Sequence, residues 1–391
     1  MASLRAYLRR LYVRVNTEQD FFLPYEVLLV LPGFQLAARW HGVRARIFFV
    51  VMRVLLLFQY AIWADQVYLA LRSESAESGR AMHIFYTFSE ITMMLGRMLI
   101  VRWYSVDVER LKRYIRQQRA AATPESSAYR KIVWIAIIFQ LASGLADRAV
   151  FFFSRYYREQ LYEVPINVAA IGWPAELLVH VGMFDLVWHW AAAMNVLVTG
   201  TNSIMLGLAD ELTGIAREYQ QLLPSWSNVN FWAQLESNIR NTMRRHEQFL
   251  LQVDCLKPFL RNTFLLMFYA AVVLIAMGTF QIGGNGTSLY DIMLCGFLVA
   301  VLLECYWCCR LVDKLNEESE RIGELLYGLD WPEQLRYSAA DAHRYRQART
   351  ALLIMMSKSQ KNLDITCGGF FVMSSEAFAN LVKLTYTMLM F

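Results

Sequence analysis

Ionisable and hydrogen-bonding side chains stand inside stretches that are otherwise apolar, and any chemistry of this chain must be sought there. Residues 81–103 carry Tyr86, Glu90 and Arg97; residues 132–154 carry Gln140, Ser143, Asp147 and Arg148; residues 173–208 carry His180, Asp185, Trp188 and His189. A charge within a hydrocarbon layer is costly, so such groups face a bundle interior or a wet cavity. The simplest reading of Glu90 with Arg97, and of Asp147 with Arg148, is charge compensation within or between helices. His180 and His189 read as packing histidines, because no Cys, His or carboxylate set stands near them at metal-ligand spacing.

Six cysteines occur, and Cys305, Cys308 and Cys309 have a metal-like local spacing. No second Cys or His pair accompanies them, so apolar packing or lipidation at a membrane boundary is expected, with no metal. The chain has no phosphate-binding GxxxxGK[ST] loop, no dinucleotide fingerprint, no HExxH and no GxSxG. Nothing therefore points to an enzyme or to a cofactor. The net charge of +5 is dispersed in clusters without an Arg/aromatic stripe, so no nucleic-acid partner is expected.

The elements that hold these residues are set by composition. Of 391 residues 57% are hydrophobic and 18% charged. Soluble domains carry about 25% charge, so this is an integral membrane protein. The basic amino end lacks the apolar core of a signal peptide. Seven apolar segments stand out, at residues 47–71, 81–103, 132–154, 173–208, 258–282, 288–311 and 368–391. The last, still apolar at Phe391, is long enough as a single helix to cross a bilayer. Polar, helix-compatible stretches at 209–223 and 231–257 extend the fourth and fifth segments beyond the membrane, with a turn at Pro224-Ser225 between them. A short lead-in helix is expected over 351–356.

Lys and Arg set the orientation. With the amino terminus inside, the cytoplasmic segments hold 27 of them and the external connections 4. The glycosylation sequon at Asn285 falls in the connection that has neither, which agrees with an external loop. The expected fold is an all-α integral membrane protein of seven transmembrane helices, with a cytoplasmic amino terminus and an extracellular carboxyl terminus. Residues 1–46 form a cytoplasmic segment and 47–312 the first six helices. Residues 313–362 form a cytoplasmic contact layer with the lead-in helix, and 363–391 the last helix. The amino-inside topology argues against G-protein-coupled receptors.

The carboxyl end carries a resemblance that topology alone could not. Met355-Met356-Ser357-Lys358-Ser359-Gln360-Lys361, then Gly368-Gly369-Phe370-Phe371, Met373-Ser374, Glu376, Phe378, Lys383 and Thr385-Tyr386-Thr387, resembles the terminal signature of insect odorant receptors, in their odour-tuning and dipteran-like form. Upstream, Leu325-Leu326-Tyr327 with Asp330-Trp331 is similar to the family's internal segment before the last helix. The resemblance implies a ligand-gated, non-selective cation channel. It implies a heterotetramer with a co-receptor subunit, whose central pore is lined by the last helix of each subunit. The chain lacks the long internal insertion of the co-receptor and is read as the tuning partner. A plasma-membrane location in the olfactory neuron dendrite, with lipid as neighbour, follows from the same likeness.

Taken as one helix, residues 368–391 align Phe378, Val382, Thr385 and Leu389 at spacings of 4, 3 and 4. Similarity to the family's pore helix makes Val382, Thr385 and Leu389 the pore positions, with Leu389 a gate that closes by dewetting. Lys383 lies one residue off this stripe, and Glu376 or a residue on a neighbouring subunit is a candidate partner for it. Family pockets lie in the outer half of the bundle, among the second, third, fourth and sixth helices. There this chain supplies Tyr86, Ser143, Gly144, Asp147, Phe184, Trp188, Tyr290 and Leu294, aromatic walls with a few directional polar groups, suited to a volatile odorant. A gustatory-type chemoreceptor channel is the nearest alternative, although Thr385-Tyr386 is not followed by that group's Gln. A secondary transporter is more remote, since no internal repeat or broken helix pair is visible.

Overall fold

Long apolar runs without internal breakers become long helices, and ten α-helices are described in the computed structural model. They are α1 (Leu23–Val30), α2 (Val43–Arg72), α3 (Ser78–Trp103), α4 (Ser105–Gln118), α5 (Trp173–Gln220), α6 (Phe231–Gly284), α7 (Leu289–Gly328), α8 (Trp331–Gln334), α9 (Ala342–Ser359) and α10 (Ser375–Met390). A two-stranded ribbon of β1 (Thr366–Cys367) and β2 (Phe371–Val372) precedes α10. The structure describes residues 22–30, 43–72, 78–118, 172–224, 230–284, 289–329, 331–335, 337, 339–359 and 363–390, with the single positions 135, 138 and 142.

Helices α2 and α3 match the first two expected spans to within a few residues. Helices α5 and α7 run from apolar into polar sequence, and α6 from polar into apolar, each as one continuous helix. At 1.5 Å per residue they are about 72, 81 and 60 Å long, at least twice the hydrocarbon thickness of a bilayer. Pro258 stands inside α6 where its polar half gives way to its apolar half. Among the described residues three helices, α3, α6 and α7, are long and apolar enough to cross a membrane. The outward face of α2 exposes Ile47, Val50, Val54, Leu57 and Phe58, a contiguous apolar surface suited to lipid. The third expected span lies outside the described residues except for Ile135, Ile138 and Ala142, which are helical.

The last segment is not one helix. Gly368 and Gly369 adopt φ of 60° and 84°, a conformation that costs little only for glycine, and they turn the chain between β1 and β2. The ribbon closes with Phe370 N–H donating to Cys367 O at 2.9 Å and Met373 N–H to Ile365 O at 2.9 Å. Helix α10 then begins at Ser375, with the Ser374 hydroxyl accepting from the Ala377 N–H at 3.1 Å as an N-terminal cap. The expected helix over 363–391 is thus a hairpin followed by 16 helical residues. The all-α expectation is amended by this one small ribbon.

Helices α5 and α7 form the central pair, with α3 and α6 packed around them. Short helices that escaped the sequence reading include α1 and the amphipathic α4, which both rest on α5. They approach where α5 has no side chain. A Cβ on Gly200 would lie 2.6 Å from the Tyr25 ring of α1, and one on Gly207 would lie 2.8 Å from Ile115 of α4. Lys112 of α4 pairs with Glu26 of α1 at 2.6 Å, and Arg116 pairs with the same carboxylate at 2.8 Å. Beside them, Arg245 of α6 holds Glu211 of α5 through two bonds of 2.7 and 2.8 Å and also pairs with Glu218. Tyr114 of α4 donates to Glu211 at 3.5 Å, and burial together with that carboxylate pushes its phenol up.

Candidate ligand cluster and pore helix

A second hydrophobic cluster stands apart from the main core. It gathers Tyr86, Ile91, Met93 and Met94 of α3, Leu56 of α2, Ala193 and Met194 of α5, Leu274 of α6 and Leu294 of α7. Two residues expected to contact a ligand, Tyr86 and Leu294, therefore share one cluster, and they are only 4% and 5% exposed. Tyr60 and Phe88 stack at its margin with ring centroids 5.3 Å apart. Phe184 and Trp188 lie on the helical backbone of α5, and Tyr290 lies in the first turn of α7. Ser143, Gly144, Asp147 and the sequon at Asn285 fall outside the described residues.

The buried charge beneath this cluster is compensated differently from the sequence reading. Arg97 of α3, 1% exposed, pairs with Glu304 of α7 at 3.0 Å, so Glu90 is not its partner here. Its second terminal nitrogen donates to the backbone carbonyl of Met194 on α5. One guanidinium thus joins three helices, using the fixed fork of donors that Lys lacks. One helical turn beyond Glu304, Cys308 donates to Asn202 Oδ1 of α5 at 3.2 Å. Cys305, Cys308 and Cys309 are all buried, in keeping with a packing role and leaving no access for lipidation.

The ribbon and α10 are fastened to α6 and α7. Gly368 N–H donates to Arg261 O of α6 at 3.1 Å, and the Phe371 and Phe268 rings lie 5.8 Å apart. Leu363, Ile365, Cys367 and Met373 are buried at this base. Asp313 of α7 accepts both the backbone N–H of Ser375, at 3.0 Å, and its hydroxyl. A carboxylate at a helix amino end is favoured by the partial positive charge of the unpaired amides. One turn on, Phe378 meets Tyr306 of α7 with centroids 5.5 Å apart.

That contact removes Phe378 from the expected pore stripe, because it faces the subunit's own bundle. Leu381 is buried on the same side, whereas Val382, at 39% exposure, and Lys383 lie on the open side with Tyr386 and Thr387. Glu376, Asn380, Lys383 and Thr387 recur at spacings of 4, 3 and 4 and are all exposed, a polar stripe that the sequence reading did not draw. Lys383 makes no ion pair with a described residue, so the expected pairing with Glu376, about two turns away, is not made. Thr385 and Leu389 lie farther along the same helical backbone.

A bundle of long helices with an apolar outer face, a buried aromatic and aliphatic cluster and a separately fastened last helix is the architecture of a helical membrane protein. A family model described as 7tm Odorant receptor matches residues 78–386, and the chain belongs to the insect odorant receptor family. Members of this family are ligand-gated cation channels that form complexes with a co-receptor, and they are not enzymes. Odorant receptor 22a of Drosophila melanogaster is 22% identical over 145 residues, 37% of this chain and 34% of that one. Putative odorant receptor 59c of the same fly is 22% identical over 167 residues, 42% and 37% of the two chains. These alignments span about a third of each relative's length. The fold is that of the olfactory receptor OR5 of Machilis hrabei: its structure with eugenol covers 98% of both chains with a TM-score of 0.68 at 12% identity. A second structure of the same receptor gives a TM-score of 0.69.

Proposed function

We propose that this chain is an odour-tuning subunit that binds a volatile small molecule within its helical bundle and gates a non-selective cation channel together with a co-receptor. The observation that carries the reading is the joint burial of Tyr86 and Leu294 in a cluster separate from the main core, in a chain of this family. A ligand entering there contacts α2, α3, α5, α6 and α7 at once, and the helices must differ in packing between closed and open states for binding to shift the equilibrium. Ser143, Gly144, Asp147, Phe184, Trp188 and Tyr290 are assigned to the same pocket.

The chain crosses the plasma membrane seven times with its amino terminus inside, supported by the 27-to-4 distribution of Lys and Arg. The last helix lines the central pore of a heterotetramer, with Val382, Thr385 and Leu389 toward the ions and Asn285 in an external loop. The cytoplasmic parts of α5, α6 and α7 supply the contact between subunits, and the dendrite of an olfactory sensory neuron is the site of action.

Expression of the chain with and without a co-receptor subunit tests this reading, with eugenol and a panel of volatile aromatics and heterocycles as probes. Odorant-evoked cation current only on co-expression supports it. Ligand-driven uptake without current would favour a transporter instead.

A further inference from the structure

Helix α7 presents two different sets of contacts on opposite faces. Glu304 and Cys308, four residues apart, share the face toward Arg97 of α3 and Asn202 of α5. Tyr306 and Asp313, seven residues apart, share the face that meets Phe378 and Ser375 of α10. From Glu304 to Asp313 is nine residues, two and a half turns, so the two carboxylates point to opposite sides and stand about 14 Å apart along the axis. One continuous helix therefore connects a buried ion pair at the bundle centre with the amino end of the last helix.

The ion pair is itself tied to the ligand cluster. Arg97 donates to the carbonyl of Met194, and Met194 packs in the same cluster as Tyr86 and Leu294; Met93, four residues before Arg97, does too. A shift of α3 against α5 cannot leave Arg97 in place, and its charge has no water to fall back on. At the far end, the first turn of α10 cannot move without breaking the Asp313 contacts or carrying α7 along.

We propose that α7 is the lever that couples ligand to pore, with Arg97–Glu304 as its input contact and Asp313–Ser375 as its output contact. The inference deepens the channel reading above and rests on it. The coupling runs through one rigid element whose position both ends bias, which is the physical condition for transmission between sites. Arg97, Glu304 and Asp313 are positioning residues: none is assigned to touch odorant or ion.

The test is evoked current per channel at the surface, with the chain co-expressed with a co-receptor, probed with eugenol and the volatile panel, and surface protein counted by biotinylation. Glu304→Gln and Asp313→Ala are each expected to lower maximal evoked current per surface channel at least tenfold. Acting in series on one lever, the two changes together should lower it no further than the more severe one alone. Arg97→Lys, which keeps the charge, should retain several-fold more current than Arg97→Met. Ser375→Ala removes only a hydroxyl donor at the output end and guards against loss of folded protein; a threefold or greater fall is expected. Losses that multiply in the double variant, or current per surface channel unchanged in both Ser375→Ala and Asp313→Ala, would overturn the lever. An unsubstituted chain silent to every probe overturns the channel reading and the lever with it.

Discussion

The turn at Gly368-Gly369 gives an internally controlled prediction, because the two glycines share a backbone requirement but not an environment. Both have positive φ, so an alanine at either pays about 1–2 kcal/mol for the left-handed conformation. At Gly368 a Cβ would also lie 2.9 Å from Leu265 Cδ1 and 2.9 Å from the Phe370 ring, whereas at Gly369 no atom lies within 4 Å. Forcing side chains aside in a packed site adds about 1–3 kcal/mol. Because the Leu265 contact is the end of a flexible side chain, the lower half of that range applies, and Gly368→Ala should cost about 2–4 kcal/mol in all. Gly369→Ala should cost about 1–2 kcal/mol, and Gly369→Asn less, since Asn tolerates the left-handed region. The assay is thermal unfolding of the detergent-solubilised, fluorescently tagged complex, followed by loss of the size-exclusion peak. Gly368→Ala should lower the melting temperature about twice as far as Gly369→Ala. Equal losses at the two positions would refute the argument from the Leu265 contact, and no loss at either would refute the hairpin itself.

Three further outcomes are expected. Arg245→Leu strands Glu211, whose side chain is 4% exposed, and should cost about 2–3 kcal/mol in the same thermal assay once the partial exposure of Arg245 is allowed for; replacing Glu211 by Leu as well should recover most of it. Lys383→Met should change cation conductance or selectivity in single-channel recording, and unchanged values would take Lys383 out of the ion path. Tyr86→Ala and Leu294→Ala should each raise the half-maximal odorant concentration about tenfold, the loss of roughly 1.4 kcal/mol of contact. Unchanged dose–response curves after alanine replacement at Tyr86, Phe184, Trp188 and Tyr290 together would eliminate the pocket.

The long helices were readable because a bilayer demands continuous apolar runs, and the family was readable because the carboxyl-terminal residues keep their order and spacing. What the sequence concealed depends on distance and on small local choices. Glu304, the partner of Arg97, is 207 positions away, so no local spacing could favour it over Glu90. Helix α4 lies in a stretch read only for its Lys and Arg, yet Val108, Leu111 and Ile115 recur at 3 and 4 and bury one face. The hairpin was signalled by adjacent glycines, a strong turn sign, but was overridden by the apolar character of the segment. Taking that segment as one helix placed Phe378 on the pore stripe, and the Tyr306 contact moves it off.

The most direct test of the central claim asks whether α10 of this chain lies in the ion path of an odorant-gated channel. Val382→Cys or Lys383→Cys, co-expressed with a co-receptor, is exposed to a charged, membrane-impermeant thiol reagent with and without eugenol or an effective member of the volatile panel. The account predicts that modification alters the evoked cation current and proceeds faster while odorant is present. Full labelling of both cysteines with current unchanged would contradict it.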